Sequence, residues 1–112
     1  MFDRDTLTGH PRFKQLTEEE IKIHNEKNGD YAGHGNPLGN FVRVAQILSL
    51  YPGLDLSNPA VVAMVYSMKQ IDAILWMLSQ GYDGKVETVG NKLMDVSIYA
   101  KLARILHEEK QK

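Results

Sequence analysis

Residues 57–81 read SNPAVVAMVYSMKQIDAILWMLSQG. Ser57-Asn58-Pro59 supplies a capping side chain and then a proline at the first helical position, where a missing N–H leaves nothing unpaired. Gly81 can take the left-handed conformation that closes a helix. Between them Val61, Val65, Met68, Ile71, Leu75 and Leu78, with further apolar neighbours, recur at helical spacing on more than one face. The spacing predicts a helix over 59–80. A helix apolar nearly all round belongs at the centre of a fold or at a subunit contact. Lys69, Gln70 and Asp72 interrupt its middle, where a charge costs about 2.5–3.5 kcal/mol in a bilayer, so the expectation is a core helix and not a membrane span.

The pattern repeats outward. Asn36-Pro37 restarts helix upstream, and Phe41, Val44, Ala45, Leu48 and Tyr51 follow at helical steps until Pro52-Gly53. Downstream, Tyr82-Asp83-Gly84 reads as a turn. A last helix then runs from Val86 or Val89 to near Glu109, with a stripe of Leu93, Val96, Ala100, Ala103 and Leu106 widened by Ile98, Leu102 and Ile105. At the start, Thr17 with Glu20 forms a capping box for a first helix reaching Lys27. Gly9-His10-Pro11 is a breaker cluster, so residues 1–16 read as an irregular arm, and the tail from His107 to Lys112 is expected to fray. The fold expected is all-α: one domain over 1–112, a compact bundle of about four helices over 17–110 behind that arm. The third helix has more apolar surface than one such bundle hides. A homo-oligomer with the third or fourth helix at its interface is therefore expected, the alternative being a monomer in which the N-terminal arm covers that face.

Composition narrows the function classes. The chain has 112 residues, 43% hydrophobic and 24% charged, with a net charge of -1 and no cysteine. The near-neutral balance gives no strong nucleic-acid signal, because phosphate neutralisation needs clustered Lys and Arg. Without cysteine there is no disulfide framework, thiolate metal site or cysteine nucleophile. Met1 to Asp5 carry acids and no apolar run, unlike a signal peptide, so a cytoplasmic protein is expected.

Three groups of residues point to chemistry. The first is the polar, glycine-rich stretch Lys27 to Asn36, with Asn28, Asp30, Tyr31, His34 and Asn36 at a helix start. Three glycines there argue against helix. Backbone amides at a helix N-terminus favour phosphate, and glycines let a ligand approach closely. The same stretch also suits an ordinary inter-helix connection. The second is Lys69 and Asp72 on the third helix. They can pair with each other as a structural ion pair, or face a wet pocket in which Trp76 stacks on a base. The third is Asp95 with Tyr99 one turn on, where a half-buried carboxylate can bind a metal, a ligand or a neighbouring helix. His10, His24, His34 and His107 lack the spacing of a helical zinc site.

Taken together, Asn28-Gly29-Asp30-Tyr31, Asn36-Pro37-Leu38-Gly39-Asn40-Phe41, Lys69, and Asp95 with Tyr99-Ala100 resemble a family. The pattern looks like the small phage and prophage nucleotide-modification-associated domains, which are similar in turn to the MazG-type all-α NTP pyrophosphohydrolases. The resemblance spans roughly residues 24–106. It adds Asn40 to the candidate ligand-binding residues and implies a nucleotide ligand, magnesium as cofactor and the cytoplasm of an infected host cell. It also has departures. Asp72 stands where those domains carry Arg, Asn91 stands where they carry an acid, and no paired Glu-x-x-Glu motif is present.

The resulting expectation is a phage-type nucleotide-binding helical domain with a weak magnesium-dependent pyrophosphohydrolase activity. Lys69 and the glycine-rich stretch would hold phosphates, Asp72 and Asp95 a metal or ribose, and Tyr31 or Trp76 the base. The alternative is a non-enzymatic phage accessory protein that sequesters a nucleotide signal or binds a host protein. The missing acids favour that version.

Overall fold

Four helices account for the regular structure of the computed structural model, which describes residues 9–33 and 35–111: α1 (Pro11–Tyr31), α2 (Gly39–Ser49), α3 (Pro59–Gln80) and α4 (Val89–Lys110). No strand occurs among the described residues. The expected all-α bundle is what forms. The third helix has the predicted limits and signals: the Asn58 side chain accepts the Ala60 N–H at 2.9 Å, and Gly81 closes it with φ 73°.

The first helix is longer than expected at both ends. His10 and Pro11 start it, with His10 Nδ1 accepting the Arg12 N–H at 3.1 Å. The expected breaker is thus a start signal, the same cap-then-proline device as Asn58-Pro59. Thr17 is no cap; its hydroxyl donates to the Phe13 carbonyl at 2.9 Å inside the helix. Of the expected irregular arm, residues 1–8 lie outside the described residues, and Pro11 onward is helical. At the other end the helix continues through Asn28-Gly29-Asp30-Tyr31, because Asp30 and Tyr31 gain tertiary partners that outweigh the roughly 1 kcal/mol cost of Gly29. The chain turns only where the Ala32 and Gly33 N–H groups both return to the Asn28 carbonyl, at 2.8 and 3.1 Å.

The later boundaries shift less. Asn36 accepts the Leu38 N–H through its side chain at 2.9 Å, so Pro37 lies in a lead-in turn and α2 proper begins at Gly39. Helix α4 begins after Thr88, whose hydroxyl accepts the Asn91 N–H at 3.0 Å while Asn91 Oδ1 reaches back to the Thr88 amide. The expected frayed tail is helical through Lys110, with His107 and Lys110 at the negative end of the helix dipole.

Helix α3 is the hub. It packs along α4 in an antiparallel pair, takes α2 antiparallel on a second side, and meets the C-terminal end of α1. Ala60, Val61, Ala73, Ile74 and Met77 from α3 and Ala103 from α4 are buried between these elements. The first turns of α1 project from the bundle, leaving Phe13, Leu16, Ile21 and Ile23 exposed.

Candidate functional site

The end of α1 is fastened to the start of α4 by one carboxylate. Asp30 is buried, and its Oδ1 accepts the Lys85 N–H while Oδ2 accepts those of Val86 and Glu87, each at 2.7 Å. Burial works to raise its pKa, but the three amides and the nearby Lys92 charge prevail and hold it below the usual carboxylate range. The Asp30 carbonyl accepts the Tyr82 hydroxyl at 2.9 Å, and burial together with the Asp30 charge pushes that phenol's pKa up.

This clamp carries a second buried charge. Lys92 is fully buried, its ammonium 2.8 Å from Glu87 Oε2 and 3.8 Å from the centre of the Tyr31 ring. The bond from Lys92 holds the Glu87 pKa down. Burial acts to lower the Lys92 pKa, yet Glu87 and Tyr31 outweigh it and the ammonium titrates above its ordinary value. Gln70 continues the network, with Oε1 3.5 Å from the Lys92 ammonium and Nε2 donating to Asp95 at 3.3 Å.

A third charge lies between α2 and α3. Asp72 takes Arg43 in a two-pronged pair, Nε to Oδ1 at 2.7 Å and Nη2 to Oδ2 at 2.9 Å, and also accepts Asn40 Nδ2 at 2.9 Å. Its partner is therefore Arg43 and not Lys69, because α2 brings a planar guanidinium that matches both oxygens. Arg43 also lies over Trp76, 4.7 Å from the ring centre, and Trp76 Nε1 donates to the Ala32 carbonyl at 3.0 Å. Arg43 thus covers the indole expected to stack on a base.

The remaining expected residues meet in a cleft between α1, α2 and α3. Asn28, Tyr31, Asn40 and Lys69 line a hollow of about 200 Å³, joined there by His24 and Lys27. The Lys69 ammonium lies 5.4 Å from the centre of the Tyr31 ring and makes no ion pair among the described residues. A second, apolar hollow of about 310 Å³ shares Asn40, Phe41 and Lys69 with the first and adds Val44, Val65 and Tyr66. Tyr99 stands behind it, edge-on to Tyr66 with ring centres 5.7 Å apart. The two hollows lie side by side, the first lined by Lys27 and His24 and the second by Tyr66 and aliphatic side chains, with Lys69 and Phe41 lining both.

Comparison with protein-family models, curated proteins and solved structures finds no match. The assignment of roles therefore rests on the geometry. Asn28, Tyr31, Asn40 and Lys69 share the cleft; Asp30, Asp72 and Trp76 are engaged in holding helices together; Asn36 leads into α2. His34 lies outside the described residues. Asp95 faces Gln70 across α3 and α4. For magnesium, Asp72 is a poor ligand as placed, since a cation would have to displace both Arg43 and Asn40 from its oxygens. Sequence reasoning missed His24, which reaches the cleft because α1 stays helical far enough to bring His24, Lys27, Asn28 and Tyr31 to one face, and Phe41, which it read as a core position of α2. It also missed Arg43 and Lys92, whose ordinary surface-like spacing gave no sign of their buried partners.

Proposed function

We propose that this chain is a nucleotide-binding helical domain that holds its ligand without covalent chemistry. One observation carries the reading: a hollow lined by Lys27 and Lys69 adjoins a hollow lined by Phe41 and Tyr66, the two sharing Asn40, Phe41 and Lys69. Phosphates suit the first hollow because two ammonium groups and amide side chains converge there. A base suits the second because aromatic faces and apolar walls reward a planar ring. Among the described residues the lining contains no carboxylate, which supports a sequestering binder over a metal-dependent hydrolase. The resemblance to phage domains supports a setting in the cytoplasm of an infected cell.

Isothermal titration calorimetry with nucleoside mono-, di- and triphosphates and cyclic nucleotides, with and without Mg²⁺, tests this. The expected result is saturable binding that needs no Mg²⁺ and weakens about tenfold or more in Lys69→Met, a loss of about 1.4 kcal/mol. Lys69 is exposed, so the variant should fold normally. Binding that requires Mg²⁺, accompanied by pyrophosphate release, would replace this reading with the pyrophosphohydrolase one. No binding of any nucleotide would overturn both.

A further inference from the structure

Helix α3 has a third face that its own chain leaves open. Gln70, Ala73 and Met77 are buried in the core, and Asp72 is held by α2. Met64, Met68, Ile71, Leu75 and Leu78 recur at alternating four- and three-residue steps, the spacing of a seam between two helices. Exposure along it reaches 41% at Ile71, 61% at Leu75 and 62% at Leu78. The two charges of α3, Lys69 and Asp72, both lie off the seam. The exposed stripes of α1 and α4 differ: Glu20 and Lys27 interrupt the first, and Asp95 and Lys101 flank the second.

Met64, Ile71, Leu75 and Leu78 lie exposed together on one side of α3, an apolar patch of the kind that marks a contact between chains. One end of the seam also has a receptacle. Val61, Met64 and Met68 form, with Leu48, Tyr51 and Leu54, an apolar hollow of about 210 Å³. The opposite end presents the most exposed knobs, Leu75 and Leu78.

We propose that the α3 seam packs against the same seam of a second copy, antiparallel about a two-fold axis between Met68 and Ile71. Such a contact is self-complementary: residue for residue, Met68 meets Ile71 and Met64 meets Leu75 of the other copy, and Leu78 reaches the hollow that the buried Val61 helps to line. Each copy then inserts Leu75 and Leu78 into the hollow beside Leu48 and Leu54. The antiparallel sense fits because knob and hollow sit at opposite ends of one helix. This assembly does not depend on the nucleotide reading: the hollow lined by His24, Lys27 and Asn28 shares no residue with the seam, and Leu48 and Val65 are the residues common to the seam's hollow and the apolar hollow beside Tyr66.

Light scattering coupled to size exclusion on the intact chain tests the state, and cross-linking tests the face. The expected mass is twice 12.7 kDa. Because the chain has no cysteine, Ile71→Cys introduces a single thiol. A short bismaleimide should join that variant into a covalent dimer in high yield, while Gln46→Cys on α2 stays monomeric under the same treatment. Leu75→Glu should halve the mass or lower the Tm. A wild-type mass of 12.7 kDa would overturn the proposal. So would a dimer in which Ile71→Cys cross-links no better than Gln46→Cys, which would put the contact on another face.

Discussion

Oδ2 of Asp30 accepts the backbone N–H of Glu87 at 2.7 Å, and the Glu87 carboxylate in turn holds the buried Lys92 ammonium at 2.8 Å. One residue at the end of α1 therefore shapes the segment that leads into α4 and places the counter-charge that lets Lys92 stay ionised inside the fold. Asp30→Ala removes three charge-assisted bonds and leaves three amides without their partner. The expected loss is about 3 kcal/mol, read as a lower urea midpoint at unchanged slope. A loss below about 1 kcal/mol would show that the clamp is incidental to stability.

The same clamp sets how stability varies with pH. Asp30 and Glu87 both titrate below the ordinary carboxylate range in the folded chain. A depressed folded pKa gives stability that is complete above the unfolded value and is lost as pH falls through the folded one. Lys92 titrates above its ordinary value, so its contribution is complete below about pH 10 and is lost as pH rises past its folded value. The Tm should be level through neutral pH and fall below about pH 4. Glu87→Gln should flatten the acid limb. An acid limb of unchanged steepness in that variant would assign the titration to other groups.

Gly84 fixes the path of the clamp loop. A Cβ there would overlap the Glu87 carbonyl and come within 3.2 Å of the Asp30 carboxyl carbon. Gly84→Ala must therefore push residues 85–87 away from Asp30. It should cost about as much as Asp30→Ala, and combining the two should cost little more than either alone, since both break the same unit. Full additivity in urea titrations would separate the two effects. Gly53 is the contrasting position, with no atom near its added Cβ, and Gly53→Ala should leave stability within about 0.5 kcal/mol.

Local signals made the helical fold legible, and long-range partners decided the site. Asn58-Pro59 and Gly81 fix the ends of α3 by backbone chemistry confined to a few residues, so the sequence sufficed there. Gly29 misled because its helix penalty is small beside the bonds that Asp30 makes 55 to 57 residues away. No local pattern announces such bonds. Lys69 and Asp72 stand out in the sequence as charges on an apolar helix. Their explanations differ, because α2 brings Arg43 to Asp72 and α1 brings Tyr31 to Lys69.

Arg43 and Asp72 offer the sharpest test of that division between structural and ligand-facing charges. Lysine at position 43 keeps a positive charge but cannot make two parallel N–H bonds or lay a plane over Trp76. Arg43→Lys should therefore cost about 1–2 kcal/mol. It should also shift the fluorescence of Trp76, which is the chain's single tryptophan and so an unambiguous reporter. Asp72→Asn should produce a similar loss of stability, because it weakens the same pair from the other side. Neither change should alter nucleotide affinity by more than a few-fold, whereas Lys69→Met should abolish most of it. If Asp72→Asn instead left stability intact and removed a magnesium-dependent signal, Asp72 would be a metal ligand in solution and Arg43 its placeholder.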